Sequence, residues 1–214
     1  MTLTDAEDDR PPRRSDGEET YRRILDQAMR LASIEGLGSL TIGRLARELD
    51  LSKSGVFAHF RSKQRLQEET IAAASEVLER EVLGPGLDAP EGLPRLESLC
   101  EAYLSYVERG VFPGGCFFAH LLAEFDAPEG PLHDEIVRIQ EGWLELVEGL
   151  IEMARERGEL VPETDAGQLA FELYAALEMA NFLSTLFRDP SAVERGRVAV
   201  RGAIHRRRTP SPNG

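Results

Sequence analysis

The sequence predicts an all-α protein in which a small N-terminal head of three helices precedes a larger helical body. Apolar residues recur at steps of three and four along most of the chain, as they do on one face of a helix. Stretches rich in glycine and proline at 84–92 and 112–115 separate these segments. A chain of 214 residues is long enough for one or two domains with a sizeable core. From the helical patterns, we place the head at 18–65 and the body at 66–205.

The two ends of the chain lack this apolar period. Residues 1–17 combine acidic residues, a Pro-Pro pair and arginines, and the chain closes with RRRTPSPNG. We therefore expect a disordered arm at 1–17 and a disordered tail at 206–214. The N-terminus lacks the apolar core of a signal peptide, and no apolar run is long enough to cross a membrane. We expect a cytoplasmic protein with no membrane partner.

Cysteine and histidine usage favours neither a disulfide framework nor a metal centre. Cys100 and Cys116 are the only cysteines and do not form a CxxC pair, so we expect two buried free thiols. The four histidines never form an HxxxH, HExxH or ExxH pattern. The sequence also contains no GxSxG nucleophile motif. We predict no metal, no cofactor and no catalytic residue.

The head should begin with a helix and continue as two shorter ones. The first has an apolar face that includes Ile24 and Ala28, and Gly36 and Gly38 are typical stop signals. The next segment, TIGRLARELDLSKSGVFAHFRSK at 41–63, contains two short helical patterns joined by Asp-Leu-Ser. The apolar face of the second of these patterns consists of Val56, Phe57 and Phe60. Two short helices joined by a tight turn are typical of a helix-turn-helix that recognises DNA, although periodicity alone favours a helical hairpin within an all-α domain.

The charge distribution is compatible with a nucleic-acid partner despite a net charge of −13. Residues 40–66 contain six basic and two acidic side chains, whereas acidic residues are concentrated between Glu68 and Glu178. A basic head on an acidic body can approach phosphates locally. Three arginines of the N-terminal arm, Arg10, Arg13 and Arg14, could also reach DNA.

The motifs of the head resemble the DNA-binding domain of the tetracycline-repressor (TetR) family. The resemblance covers about 19–66 and rests on Thr-Ile at 41–42, Leu-Ala-Arg-Glu at 45–48, Leu-Ser-Lys at 51–53, His-Phe at 59–60 and Ser-Lys at 62–63. It implies a homodimeric, ligand-responsive regulator whose last two long helices form a dimeric four-helix bundle. It also implies the following DNA-binding residues: Thr41, Ser52, Lys53, Ser54, Gly55, Phe57, His59 and Lys63.

Three residues depart from the family pattern. Gly55 stands where a threonine is common and Phe57 where a tyrosine is common, so two hydroxyls that could bind phosphate are lost. Asp50 replaces the usual turn glycine, but aspartate tolerates the left-handed conformation better than most residues. We expect the turn to survive and DNA affinity to depend more on Lys53, His59 and Lys63.

The body should consist of further helices. A linking helix runs from Ser62 to about Leu83, where the GPGLDAPEG stretch breaks it. The helix at 165–187 is apolar around most of its circumference, so it must contact other elements on several sides. The remaining helical patterns cover 93–107, 116–125, 132–157 and the segment after Pro190.

The few polar residues among these apolar patterns suggest a small-molecule site. An apolar cavity with a few convergent polar groups is the usual form of such a site. We predict a pocket formed by Tyr103, His120, Glu124, Trp143, Glu178 and Asn181. If Glu124 and Glu178 both face the cavity, a cationic or polyhydroxylated ligand is favoured over a fatty acid.

Together these patterns favour a repressor that a small-molecule effector of unknown identity releases from a pseudo-palindromic operator in double-stranded DNA. Activation rather than repression stays open. Two alternatives also stay open: a dimeric interaction module that has lost DNA binding, suggested by Gly55 and Phe57, and, less favoured, a helical-bundle enzyme.

Overall fold

A computed structural model of the chain describes residues 14–124 and 130–210, and these residues form ten α-helices and no strand. A 3₁₀ turn at Leu37–Ser39 follows the first helix, and a π-helical turn at Glu79–Leu83 joins the fourth and fifth. In chain order the helices are α1 Arg14–Glu35, α2 Ile42–Glu48, α3 Lys53–Phe60, α4 Lys63–Leu78, α5 Gly84–Leu87, α6 Leu93–Glu108, α7 Phe117–Glu124, α8 Pro131–Glu156, α9 Ala166–Phe187 and α10 Ser191–His205.

Side-chain caps begin the three helices that follow α1. The hydroxyls of Thr41, Ser52 and Ser62 each accept a hydrogen bond from the backbone N–H three residues later, at 3.0–3.1 Å. Such caps satisfy donors that the first turn of a helix otherwise leaves unpaired. The α1 helix ends before Gly36, whose φ of 81° is readily available to glycine, as the stop signals predicted.

The turn between α2 and α3 keeps its left-handed residue. Asp50 has a φ of 54°, and the N–H of Leu51 donates to the Ala46 carbonyl at 2.8 Å. The expectation that aspartate sustains this turn in place of glycine is therefore confirmed. Beyond the turn, Val56 and Phe60 of α3 join Leu45 of α2 in the head core.

The linking helix extends beyond the point at which the sequence predicts a break. Helical structure continues from α4 through the π-helical turn and α5 to Leu87, so the break falls at 88–92 rather than at Gly84. Pro85 lacks an N–H and crowds the preceding turn, which explains the widened turn just before it. A Cβ atom on Gly86 would lie 2.8 Å from Leu99 Cα, so this glycine allows α5 to pack closely on α6.

The body is built around α6, α8 and α9. Leu96, Tyr106 and Leu173 are among its fully buried side chains, and both cysteines are buried free thiols as expected. The α10 helix packs along α9, and α7 lies against α1 of the head. The body therefore contacts the head both through the linking helix and through α7.

The two ends of the chain differ from expectation where the structure describes them. Helix α1 begins at Arg14, inside the predicted arm, whereas Arg10 and Arg13 lie outside the described residues. Residues 206–210 pack on the body instead of forming a disordered tail: Val161 N donates to Arg207 O at 2.8 Å, and the Arg207 guanidinium contacts the Glu172 carboxylate at 2.7 Å. These partners are distant in sequence, so no local pattern signals them. Residues 211–214 lie outside the description.

Within residues 14–124 and 130–210, no helix is long and apolar enough to span a membrane. The same residues contain no cluster of three or more histidine, cysteine, aspartate or glutamate side chains that could hold a metal ion.

Candidate DNA-binding surface and effector pocket

Helix α3 separates a buried face from an exposed one. Val56 and Phe60 are fully buried and anchor the helix in the head. Lys53, Ser54, Gly55 and Ala58 are exposed on the other side. Phe57, which the periodicity assigned to the buried face, is instead 53% exposed, because it lies one residue beyond Val56 around the helix. The exposed face thus combines one cation, small residues and one aromatic ring.

The hydroxyls at the starts of α2 and α3 are exposed and already accept hydrogen bonds. Thr41 and Ser52 accept backbone N–H groups as caps, and Ser52 Oγ lies 3.1 Å from Ser54 Oγ. A capping hydroxyl still has an O–H to donate, so each can serve a phosphate oxygen without losing its cap.

The basic side chains of the head fall into two groups. Arg44 pairs with Glu35 at 2.6 Å and with Glu48 at 2.9 Å, and these contacts lower the pKa values of both carboxylates. By contrast, Arg47, Lys53 and Arg61 are exposed and have no ion pair with any other described residue. Around α3, the positive charge available to phosphate therefore comes from these three residues rather than from Arg44.

Lys63 and His59 occupy sites at the edge of this surface. Lys63 Nζ donates to the Gly38 carbonyl at 2.7 Å, which holds the ammonium group close to the 3₁₀ turn. The half-buried His59 ring lies 6.0 Å from the Tyr21 ring of α1. Tyr21 donates to Glu69 at 2.5 Å, and burial together with this bond raises its pKa to about 12. Both basic residues are thus oriented by contacts outside α3.

A second site is a small, partly open cavity in the body, next to the linking helix. Its volume is about 20 Å³, enough for about one water molecule. Helices α4, α6, α8 and α9 contribute to its wall, together with α7 and the residue before it. The lining residues are Leu78, Tyr103, Cys116, Phe118, Ala119, Ile139, Gln140, Trp143, Tyr174 and Glu178.

Three polar features converge on this cavity. The Tyr103 hydroxyl donates to Glu178 at 2.8 Å, and the Tyr174 hydroxyl donates to Gln140 Oε1 at 2.8 Å. The buried Nε1 of Trp143 has no hydrogen-bond partner among the described residues. Burial raises the pKa of Glu178, although the hydrogen bond from Tyr103 acts in the opposite direction. The cavity therefore combines a carboxylate with an indole donor that lacks an acceptor.

The structure brings together three of the six predicted ligand-binding residues. Tyr103, Trp143 and Glu178 line the cavity, whereas Asn181 accepts a hydrogen bond from the Cys116 backbone N–H at 2.8 Å. The half-buried His120 is not among the lining residues. The Glu124 side chain lies outside the described part of the molecule. Binding of a ligand by any of these residues stays a prediction.

The predicted set omitted polar residues on two of the contributing helices. Gln140 lies one turn before Trp143 on α8, and Tyr174 lies one turn before Glu178 on α9. Helical spacing from the two residues already chosen would have identified both.

The outer face of α9 exposes a continuous apolar stripe. The residues Phe171, Met179, Phe182, Leu186 and Phe187 are between 54% and 67% exposed. Val198 of α10 is 57% exposed. An apolar patch of this kind on a soluble chain usually marks an interaction surface.

Comparisons with known proteins agree with this architecture. Residues 92–200, just over half of the chain, match the family described as "Tetracyclin repressor-like, C-terminal domain". Residues 24–70 match "Bacterial regulatory proteins, tetR family". The chain is also 26% identical over 148 residues to the HTH-type transcriptional regulator SrpR of Pseudomonas putida, an alignment that covers 68% of this chain and 66% of that protein.

Solved structures show the same fold. A TetR transcriptional regulator from Chloroflexus aurantiacus superposes with a TM-score of 0.81 at 24% identity, covering 91% of this chain and 98% of that one. A putative transcriptional regulator from Saccharomonospora viridis, solved in complex with choline, has a TM-score of 0.69 at 21% identity and covers 88% and 96% of the two chains. On these matches and on its helix-turn-helix head, the chain belongs to the TetR family of bacterial transcriptional regulators.

Proposed function

We propose that two copies of this chain bind a pseudo-palindromic operator and repress transcription until a small-molecule effector enters the body. The observation that best supports this is the position of Leu78, which lines the cavity and belongs to α4, the helix that continues directly from the head. A ligand that displaces Leu78 would also displace α4. It would thereby shift the population between DNA-competent and incompetent arrangements.

On DNA, α3 would enter the major groove. Lys53 can pair with guanine acceptors, and the exposed Phe57 can contact a thymine methyl group. The α2 and α3 cap residues Thr41 and Ser52, together with His59 and Lys63, would contact phosphates and set the register. The exposed Ser54 and Gly55 leave room for close approach to the base edges.

The second copy would cover the apolar stripe of α9. Phe182 and Leu186 lie one turn apart on this exposed face, and Val198 extends it onto α10. Two such faces packed together would form a four-helix bundle and remove the patch from water. A two-fold dimer would then place both heads on the same side of a duplex.

The effector would act by expanding the cavity. Because about 20 Å³ accommodates roughly one water molecule, any larger ligand must move the helices that line it. The choline complex of the S. viridis regulator supports a small-molecule effector for this fold. A second route to the head is provided by the loop before α7: Gly114 N donates to Ser33 Oγ of α1 at 3.3 Å, and Cys116 of the same loop lines the cavity.

Measuring DNA affinity of lysine variants across a salt series tests this proposal. We expect Lys53→Ala to lose about 1–3 kcal/mol of binding free energy on a preferred operator. The variant should also discriminate less between bases at the position that Lys53 contacts. Lys63→Ala should weaken binding to all DNA sequences alike. It should also reduce the slope of log affinity against log salt concentration by about one. Arg138→Ala, an exposed arginine of α8, is the control. If the unmodified protein shows no sequence preference and neither lysine substitution changes its weak binding, the interaction-module alternative is favoured.

A further inference from the structure

We propose that the cavity beside α4 takes a small organic cation, with the Glu178 carboxylate as its counter-ion. This inference rests on the proposed effector function, because it names the chemical class of the effector. Its evidence is the composition of the described cavity wall, whose residues include one acidic side chain and no basic one.

Glu178 is a largely buried carboxyl group, and the described residues around it offer no cation to balance its charge when it is ionised. Among the residues that the structure describes, no lysine, arginine or histidine lines the cavity, and the only hydrogen-bond partner of Glu178 there is the Tyr103 hydroxyl. Buried carboxylates in proteins are usually paired with a cation, because desolvating an unpaired charge is costly. A cationic ligand would provide the missing charge, whereas an anionic ligand would meet both repulsion and desolvation.

The remaining walls suit an ammonium group. Tyr103, Trp143 and Tyr174 all line the cavity, and the rings of Tyr103 and Trp143 lie 5.8 Å apart at an interplanar angle of 47°. Aromatic faces attract ammonium ions through the ring quadrupole, and the attraction is stronger where water is excluded. The aromatic rings and the carboxylate therefore favour the same ligand charge.

Trp143 adds a second requirement. Its buried indole Nε1–H has no acceptor in the described structure, which is costly unless a ligand provides one. A hydroxyl or carbonyl oxygen near the charged nitrogen would satisfy it. The preferred class is thus a small ammonium ion that also carries a hydrogen-bond acceptor.

Cation affinity should depend on pH through Glu178. The other titratable groups on the cavity wall are Tyr103, Cys116 and Tyr174, and burial raises the pKa of each, that of Cys116 to about 11. They remain neutral at physiological pH. Because the pKa of Glu178 is itself raised, the carboxylate loses its charge at a higher pH than an exposed glutamate. Affinity should fall as the pH decreases through that value.

The test uses Trp143, which is the only tryptophan of the chain and therefore reports on the cavity directly. Its fluorescence is titrated in the full-length protein with two matched pairs of probes, without DNA. One pair is tert-butylammonium and tert-butanol, which share a shape and differ in charge. The other is 2-hydroxyethylammonium and propan-1-ol, which adds the acceptor. We expect a saturable response to each ammonium at concentrations at least tenfold below those of its neutral partner.

Glu178→Gln preserves the shape and the acceptor for Tyr103 while removing the charge. This variant should lose at least tenfold in ammonium affinity and should lose the pH dependence. Glu172→Gln, on an outer part of the same helix, is the matched control and should bind as the unmodified protein does. Equal binding of the neutral probes, or undiminished ammonium binding by Glu178→Gln, would overturn the cation inference and leave the effector proposal in place. No saturable response to any of the four probes would likewise overturn the cation inference, whereas the effector proposal fails separately if no small molecule changes the affinity of the protein for its operator.

Discussion

Asn181 Oδ1 accepts a hydrogen bond from the backbone N–H of Cys116 at 2.8 Å, and this bond connects the wall of the cavity to the helix that carries the apolar stripe. Cys116 lines the cavity, and Asn181 is buried on α9 directly before the exposed Phe182. The loop on the other side of Cys116 touches α1 of the head. One short segment thus contacts the cavity, α9 and the DNA-binding head.

Replacing Asn181 by alanine should destabilise this junction. The Cys116 N–H would be left buried without an acceptor, which typically costs about 1–3 kcal/mol. The free energy of unfolding, measured by urea denaturation at a fixed protein concentration, should fall by that amount. Gln168→Ala removes an exposed amide from the same helix and should change it by less than about 0.5 kcal/mol. Equal effects of the two substitutions would contradict the structural role of Asn181.

Gly115 in the same loop should tolerate no side chain. Its φ is 84°, and a Cβ atom there would lie 2.4 Å from Asn181 Oδ1. Gly110 has a φ of 59° but nothing within 4 Å of such an atom. An alanine at positive φ should destabilise either variant by about 1–2 kcal/mol. Overpacking should add about 1–3 kcal/mol for Gly115→Ala alone. Urea denaturation of Gly115→Ala and Gly110→Ala separates the overpacking from the backbone strain. Similar losses in the free energy of unfolding would show that the loop relaxes around the new side chain.

Phe182→Glu should abolish the dimer that we propose. It places a charge at the centre of the stripe, where a second copy would have to bury it unpaired. Analytical ultracentrifugation should show a monomer with helical content unchanged by circular dichroism. Val137→Glu changes an apolar residue of α8 that is 37% exposed and should leave the dimer intact. A Phe182→Glu protein that still sediments as a dimer would place the interface elsewhere.

Ionisation of two glutamates of α9 should have opposite effects on the stability of the fold. The pKa of Glu178 is raised by burial, so ionisation disfavours the folded state once the pH rises above the value for the unfolded chain. Without effector, Glu178→Gln should therefore raise the melting temperature at neutral pH and have no such effect at about pH 4.

Glu172 is the opposite case, because its contact with Arg207 lowers its pKa to about 2. Its stabilising effect is fully present above the unfolded-state pKa and is lost as the pH falls below it and through the folded-state pKa of about 2. Glu172→Gln should therefore lower the melting temperature at neutral pH. Thermal unfolding of both variants across pH provides the comparison, and shifts of the same sign at neutral pH would contradict these assignments.

The sequence was most informative where local chemistry determines local structure. Asp50 and Ser52 identified the turn and the start of the recognition helix because a left-handed residue and an N-cap act over a few residues. Phe57 was assigned to the wrong face, because three apolar residues within five positions do not define which of them faces the core.

Features that depend on distant contacts were harder to predict. The helical course of 84–87 depends on Gly86 packing against Leu99, and the ordered start of the C-terminal segment depends on Glu172. In the cavity, aromatic and acidic residue types pointed to Tyr103, Trp143 and Glu178. Asn181 is also a polar residue within an apolar helix, so the sequence pattern could not separate it from these three. Its amide oxygen instead accepts a hydrogen bond from the backbone of a loop 65 residues away.

Selection of bound fragments from a randomised duplex pool, repeated over a salt series, tests the central claim most directly. The protein should first be shown by mass spectrometry to be free of bound small molecules. We predict enrichment of a pseudo-palindrome whose half-sites lie about one helical turn, or a multiple of one, apart, with affinity that falls steeply as salt increases. Weak binding with no shared sequence would contradict the claim that this head reads an operator.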